Sequence, residues 1–271
     1  MKSIYALSKT RLLTGLALAT LASSGFAAST WSSGTCTQNT GTGSNANAYG
    51  NSYACAGTNG GPAATATAWS STASGPAFAT AMLVPYGGGF GVTAHGESTT
   101  SPQHSTDNNG TTDLVAFSFS SSVILNTLNI GWMSTDSDVS ILRYVGTTPP
   151  ASLPLAVAGK AISGLTGLVA SGWELVGNYG GLSTSSSNAI NGSGLSSSWW
   201  LISAYNSGYG TPGESRGSLG NGNDYVKILS MSGDRAPPPP PQVPEPGSLV
   251  LMGVALLGAL GMQRRKAVRV A

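Results

Sequence analysis

Apolar and polar side chains alternate with a period of two through the middle of this chain, and the alternation predicts strands. Over residues 114–119, Val115, Phe117 and Phe119 fall on one face while Ala116 and Ser118 fall on the other, the pattern of a half-buried sheet. Residues 123–132 repeat it, with Ile124, Leu128, Ile130 and Trp132 assigned to one face and Asn129 and Gly131 to the other. Residues 139–145 predict a third strand, entered through Asp136-Ser137-Asp138. Upstream, Phe78, Met82, Val84, Phe90 and Val92 surround Pro85-Tyr86-Gly87-Gly88-Gly89, which predicts a hairpin. Downstream, Trp173, Leu175 and Tyr179 alternate on one strand face. Residues 199–205 are apolar on both faces, as a central strand between two layers requires. Residues 225–231 close the domain with Val226 and Ile228 on one face.

The connections are rich in turn formers. Residues 147–158 hold Pro149, Pro150 and Pro154, which donate nothing to a ladder, so this stretch reads as a connection or edge. One helical turn is placed at residues 165–170. Elsewhere no long stretch has helical periodicity. The expected fold is all-β, an antiparallel β-sandwich or jelly roll over residues 74–234, with the three consecutive strands at 114–145 forming a meander or part of the jelly roll. Residues 28–73 read as a separate Ser/Thr/Gly-rich opening.

Two apolar runs lie outside this scheme. Residues 12–21 follow Lys2, Lys9 and Arg11 and precede Gly25-Phe26-Ala27, which predicts a signal peptide over residues 1–27, cut after Ala27 by signal peptidase. Residues 247–262 form an apolar run of 16. As a helix it would reach about 24 Å at 1.5 Å per residue, short of the roughly 30 Å hydrocarbon core, so it predicts a short C-terminal transmembrane helix. Arg264, Arg265 and Lys266 should hold its far end, and the tail 267–271, on the cytoplasmic side, leaving the body outside. Between body and span, residues 235–242 form a spacer with five consecutive prolines from Pro237 to Pro241, an extended polyproline II rod. In an exported chain with only two cysteines, a Cys36–Cys55 disulfide is the default.

Val243-Pro244-Glu245-Pro246, then the short apolar span, then the basic stop resembles the PEP-CTERM sorting signal of bacterial surface proteins, here residues 243–266. The resemblance implies recognition by the membrane protease-transpeptidase exosortase, with Pro244, Glu245 and Pro246 as recognition residues in a substrate. It also implies cleavage nearby and loss of the hydrophobic tail. With Asp136-Ser137-Asp138, the segment 198–206 and Asn223-Asp224-Tyr225-Val226-Lys227, the body looks like the exosortase-dependent surface proteins of the XDP type. That likeness implies a protein anchored in the membrane during sorting, then held at the cell surface or in the extracellular matrix of a biofilm, with exopolysaccharide as a matrix partner.

Charge sharpens the picture. The formal net charge is +2, yet seven of the twelve basic residues lie in the two targeting segments. The body keeps Arg143, Lys160, Arg216, Lys227 and Arg235 against nine acids, a net −4. A mildly acidic body with no basic cluster argues against nucleic acid.

The acids supply the one metal hypothesis of weight. Asp107, Asn109 and Asp113 place oxygen donors in one loop, and Asp136, Asp138 or Asp224 can join from neighbouring turns, a donor set suited to calcium. Turn and Asx roles explain the same residues without a metal. His95, Glu97 and His104 form a weaker transition-metal set at irregular spacing. No other cofactor is expected.

No catalytic set is assigned and an enzyme is not expected. Gly213-Glu214-Ser215-Arg216-Gly217 has the spacing of a nucleophile elbow, but glycines flank it and both histidines precede it. The glycine pattern at 208–213 is followed by no helix to hold a pyrophosphate. Trp31, in the polar opening, is the tryptophan expected to be exposed. The reading that emerges is a surface protein with a structural or adhesive matrix role, and the alternative is a carbohydrate-binding module stabilised by calcium.

Overall fold

The predicted alternation becomes sheet through most of the body. The structure, a computed structural model, describes residues 27–39, 48–72, 75–220 and 222–237. The signal peptide before Ala27, the spacer beyond Pro237, the sorting signal 243–266 with its apolar span, and the tail 267–271 lie outside the described residues. In chain order the elements are β1 (Ser29–Ser32), β2 (Thr37–Gln38), β3 (Ser52–Cys55), β4 (Ala64–Thr72), β5 (Gly75–Thr80), β6 (Met82–Tyr86), β7 (Gly89–Thr93) and β8 (Thr106–Asp107). There follow β9 (Asp113–Thr135), β10 (Val139–Tyr144), α1 (Leu153–Val157), β11 (Trp173–Tyr179), β12 (Asn188–Ala189), β13 (Ser197–Ala204), β14 (Glu214–Arg216) and β15 (Asp224–Arg235). The fold is all-β.

One hydrogen-bonded network joins these strands along the path β14-β11-β10-β13-β9-β15-β7-β6, with β4 also on β9 and β1 also on β15. It is mixed, because β14 runs parallel to β11 while β9 is antiparallel to β4, β13 and β15. The predicted hairpin is present as β6 and β7, closed with Tyr86 opposite Gly89. Gly89 has φ +120°, and a Cβ there would lie 2.4 Å from the Ile228 carbonyl, so this turn packs directly on β15.

The strands expected at 114–119 and 123–132 are one continuous strand, β9, of 23 residues. Its first half lies between β4 and β13, with Phe117 opposite both Ala66 and Trp200. From Val123 onward it pairs with β15. The change of partner falls at Ser120-Ser121-Ser122, small side chains that belong to neither core. A single strand thereby passes from one layer to the other, as at the corner of a β-sandwich. The predicted meander is absent. The strands flanking β9 come from far along the chain, and β10 lies between β13 and β11.

Strict alternation also fails twice within β9. Gly131 is an extra residue between Ile130, opposite Ile228, and Trp132, opposite Lys227, so Met133 and not Trp132 packs on the core. A second break lies at Asn126. Leu125 faces Gly233 and Thr127 faces Ser232, which leaves Asn126 as an extra residue in a β-bulge. The inward face therefore shifts from Val123 and Leu125 to Leu128 and Ile130, and Ile124 is left only half-buried.

The layer containing β4, β13, β10 and the first half of β9 is covered on both faces. One core gathers Ala66, Phe117, Ile141 and Trp200 from this layer with Phe90, Leu128, Ile228 and Met231 from the other. On the opposite face Trp69, Leu114, Leu142, Leu201 and Trp173 pack with Leu153, Ala156 and Val157 of α1. The two-faced apolar run at 199–205 has the environment its pattern requires. The helix itself lies in the proline-rich connection and not at 165–170, where Leu165 is 98% exposed and only a 3-10 turn, Val169–Ser171, forms. Pro154 stands in the first helical turn, where its missing N–H costs nothing, and Leu153, Ala156 and Val157 fall on one face at i, i+3 and i+4.

The polar opening at 28–73 contributes β1 to β4 to the same network. Cys36 and Cys55 are joined, with Cα atoms 4.3 Å apart. Trp31, expected to be exposed, is 2% exposed and sits in the main core. Its neighbours along the chain are polar, but β1 lies on β15 with Trp31 opposite Met231, and that partner decides where the ring goes.

Candidate functional site

The acids expected to form one calcium set divide into two groups. Glu97, Asp107 and Asp113 each place a carboxylate oxygen within 4.8 Å of the others, and Asp136, Asp138 and Asp224 do the same. In the first group Asp107 is carried by β8, opposite Tyr225 of β15, and Asp113 opens β9 opposite Ser70 of β4. Glu97 follows β7 in a turn closed from both sides: its N–H donates to the Ala94 carbonyl at 3.2 Å, and its Oε2 accepts from the Ala94 N–H at 2.7 Å. Asn109 contributes its backbone N–H to Asp107 Oδ1 at 3.0 Å, a turn role.

Glu97 joins the carboxylates and leaves the histidines it was grouped with. His95 is exposed and stacks on Tyr49, ring centroids 3.6 Å apart. His104 lies against the Tyr86 ring, with Nε2 2.7 Å from Lys227 Nζ. Spacing along the chain carries no signal for the Glu97 partnership, because the segment between β7 and β8 must fold back before the three acids meet.

Hydrogen bonding separates the two groups sharply. Asp138 Oδ1 accepts from the Gly181 N–H at 2.8 Å and Oδ2 from the Gly220 N–H at 2.7 Å. Asp224 Oδ1 accepts from the Asp138 N–H at 2.8 Å and Oδ2 from the Asn108 side-chain amide. Asp136 Oδ1 accepts from the Ser137 N–H at 2.8 Å. Asp138 and Asp224 thus tie loops to strand ends, the role of buried carboxylates that satisfy N–H donors, while half-buried Asp136 makes a local turn bond.

In the first group Glu97 is satisfied, with Oε1 accepting from Thr111 Oγ1 at 3.1 Å. Asp107 Oδ2 and both oxygens of Asp113 are buried without a hydrogen-bond partner among the described residues. Burial is the main force on both groups. It pushes the Asp107 carboxyl up to about 8, the Glu97 charge adding to the rise while the Asn109 N–H opposes it. It pushes Asp113 well above the usual carboxylate range, reinforced by the charges of Asp107 and Glu97. The nearby Ser70 hydroxyl and the Asp107 N–H oppose that rise, but neither makes a hydrogen bond of good geometry to Asp113, and the Ser70 hydroxyl donates to the Ser71 carbonyl at 3.2 Å. Burial also raises Asp224 to about 7 and raises Asp138, against their hydrogen bonds.

A surface pocket of about 280 Å³ adjoins the first group, lined by residues including Ser70, Ser71, Thr80, His95 and Thr111. Thr111 belongs to both, since it lines the pocket and holds Glu97. The segment 213–217 is nowhere near it: Glu214–Arg216 form the edge strand β14 beside β11, and Glu214 accepts from the Tyr179 hydroxyl.

Beyond the described body, residues 242–266 match the model of the PEP-CTERM protein-sorting motif. The chain carries a PEP-CTERM sorting signal. The match takes in Val243, Pro244, Glu245 and Pro246, the apolar span, and Arg264, Arg265 and Lys266. A PEP-CTERM signal makes exosortase the processing partner, and implies export and membrane anchoring before cleavage and delivery to the cell surface. The match stops at the tail and does not reach the segments on which the XDP likeness rests. No curated protein and no solved structure matches the chain.

Proposed function

We propose that the body, once freed by exosortase, serves as a structural or adhesive component of the extracellular matrix, held there through exopolysaccharide. The observation that supports this most directly is how the sorting signal is joined to the fold. The last body strand, β15, leads into the spacer, and it pairs with β9 from Thr135 opposite Asp224 to Val123 opposite Arg235. β1 pairs with it as well. A pull on the C-terminus therefore loads a long ladder along its length, so that many hydrogen bonds resist together. That suits a tethered load-bearing module.

A second reading, carbohydrate binding, is favoured by the hydroxyl-lined pocket beside the Tyr49–His95 stack. Aromatic faces and hydroxyl groups together recognise sugars through stacking and hydrogen bonds.

One experiment addresses both. Protein is recovered from the matrix and the medium of cells with and without exosortase, and its intact mass is determined. The expected result is a matrix-held species lacking residues 1–27 and the apolar tail, seen only with the enzyme present and absent when Pro244-Glu245-Pro246 are replaced by alanines. Processed protein found only in the medium would sink the matrix role. Matrix retention that is lost in Tyr49→Ala, with processing unchanged, would favour the carbohydrate reading.

A further inference from the structure

We propose that Glu97, Asp107 and Asp113 form a calcium-binding site. Three acidic side chains near one another are common on protein surfaces, but here two of the three have no exposure to solvent. Asp113 leaves both carboxylate oxygens without a partner, and Asp107 leaves one. A buried anion without donors is strongly unfavourable, and the compensations available are a proton or a cation.

The second acidic group shows what the fold does with buried carboxylates it uses structurally. Each of Asp138 and Asp224 has both oxygens engaged by N–H donors. Asp113 has the same burial, and the donors near it, the Ser70 hydroxyl and the Asp107 N–H, leave both its oxygens without a hydrogen bond of good geometry, although it lies in a well-formed strand beside β4. One Asp113 oxygen lies within 4.8 Å of a carboxylate oxygen of Asp107 and of Glu97, so a single cation can be shared by the three.

The donor set selects the ion. Three carboxylates are hard oxygen ligands with no imidazole or thiolate among them, which disfavours zinc and copper. Calcium accepts six to eight oxygens in irregular geometry, so mono- or bidentate carboxylates completed by water suffice. Magnesium demands a near-ideal octahedron and gives up its water reluctantly. An ion here would join the turn after β7, the short strand β8 and the start of β9, and through Thr111 it would fix one wall of the adjoining pocket. The site stands on its own, whether or not the body has a matrix role.

The test uses the processed protein recovered from cells, stripped with chelator and dialysed free of it. Calcium chloride is titrated by calorimetry and by thermal unfolding, with magnesium chloride in parallel. The expected result is one calcium per chain, a rise in Tm on saturation, and binding at least about tenfold tighter than that of magnesium. Asp113→Asn and Asp107→Asn should each weaken calcium by about tenfold or more, while raising metal-free stability at neutral pH, because an amide carries neither a buried charge nor the cost of taking up a proton on folding. Glu97→Gln, at the half-buried rim, should weaken it by a similar factor and carries the test if the buried variants do not fold. Asp136→Asn, in the other group, should leave calcium affinity unchanged. The proposal is overturned if the wild type shows neither binding heat nor a Tm shift at millimolar calcium, which would leave a bound proton as the compensation. Binding that survives in Glu97→Gln and Asp107→Asn alike, or that is lost in Asp136→Asn, would also overturn it.

Discussion

The indole Nε1 of Trp31 donates to the Pro62 carbonyl at 2.8 Å. This bond ties β1 to the segment just before β4, while the Trp31 ring meets Phe119 edge-on with centroids 4.9 Å apart. The first strand of the body is thus pinned to β9 by a side chain as well as to β15 by its backbone. Trp31→Phe keeps most of the apolar contact but leaves the Pro62 carbonyl without its donor, and is expected to cost about 1–3 kcal/mol. Trp31→Ala removes the ring and should cost about 3–5 kcal/mol. Urea unfolding checks both, and a loss under about 1 kcal/mol for the alanine variant would contradict a core position.

The Cys36–Cys55 bond closes a loop of sequence separation 19 between the turn after β1 and the end of β3. In the chain-entropy account, opening such a loop costs about 3 kcal/mol. The paired replacement Cys36→Ala with Cys55→Ala should lower the urea midpoint accordingly, and adding reductant should shift the wild type but not this variant. Thiol labelling without reductant should find neither cysteine free.

Asp224 confers a pH dependence whose sign is set by its surroundings. Burial first, then the charge of Asp138, raises it to about 7 from an ordinary value of 3.8. Between these values the folded chain holds a proton that the unfolded chain has released. The contribution to stability is therefore complete below about pH 4 and is lost as pH rises through about 7. In chelator, unfolding free energy measured from pH 4 to pH 7 should fall in the wild type. Asp224→Asn, which cannot titrate, should remove on the order of 1 kcal/mol per pH unit from that slope. Parallel profiles for the two proteins would show that Asp224 carries its ordinary pKa.

Much of the local structure is legible along the chain. Alternation locates the β6–β7 hairpin, β10, β11 and β13, because side-chain period reports directly on a pleated backbone with one or two buried faces. In β11, however, an extra residue at Val176 puts Trp173 and Leu175 in one core and Tyr179 in the other, not on the one face expected. The two-faced run at 199–205 even reports its layer. The glycines at 87–89 locate a turn, and two of them are demanded by its neighbours, since a Cβ at Gly89 would meet Ile228 of β15 and one at Gly88 would meet Trp132 of β9. Alternation is silent about partners, so Ser120-Ser121-Ser122 looks like a turn between two strands when it is a crossing between two layers. The bulge at Asn126 is likewise invisible, since an extra residue is defined only against the strand opposite.

The candidate site divides in the same way. Composition marks the acids, and Asp107 and Asp113 are close enough in the chain to be paired on sight. The partnership with Glu97, and the separation from Asp136, Asp138 and Asp224, depend on β8 pairing with β15 and β9 with β4.

By itself the sequence determined the features that are read linearly: the sorting signal at 242–266, which is recognised as a string of residues, the strand-forming segments, and a disulfide that two cysteines left without alternatives. Tertiary structure alone decided that Trp31 is core, that β9 serves both layers, and that Asp113 is buried with both oxygens unbonded while Asp138 is buried with both bonded. The physical reason is that burial and hydrogen-bond satisfaction belong to a residue's neighbours in space, and in a sheet with this much long-range pairing those neighbours come from distant parts of the chain.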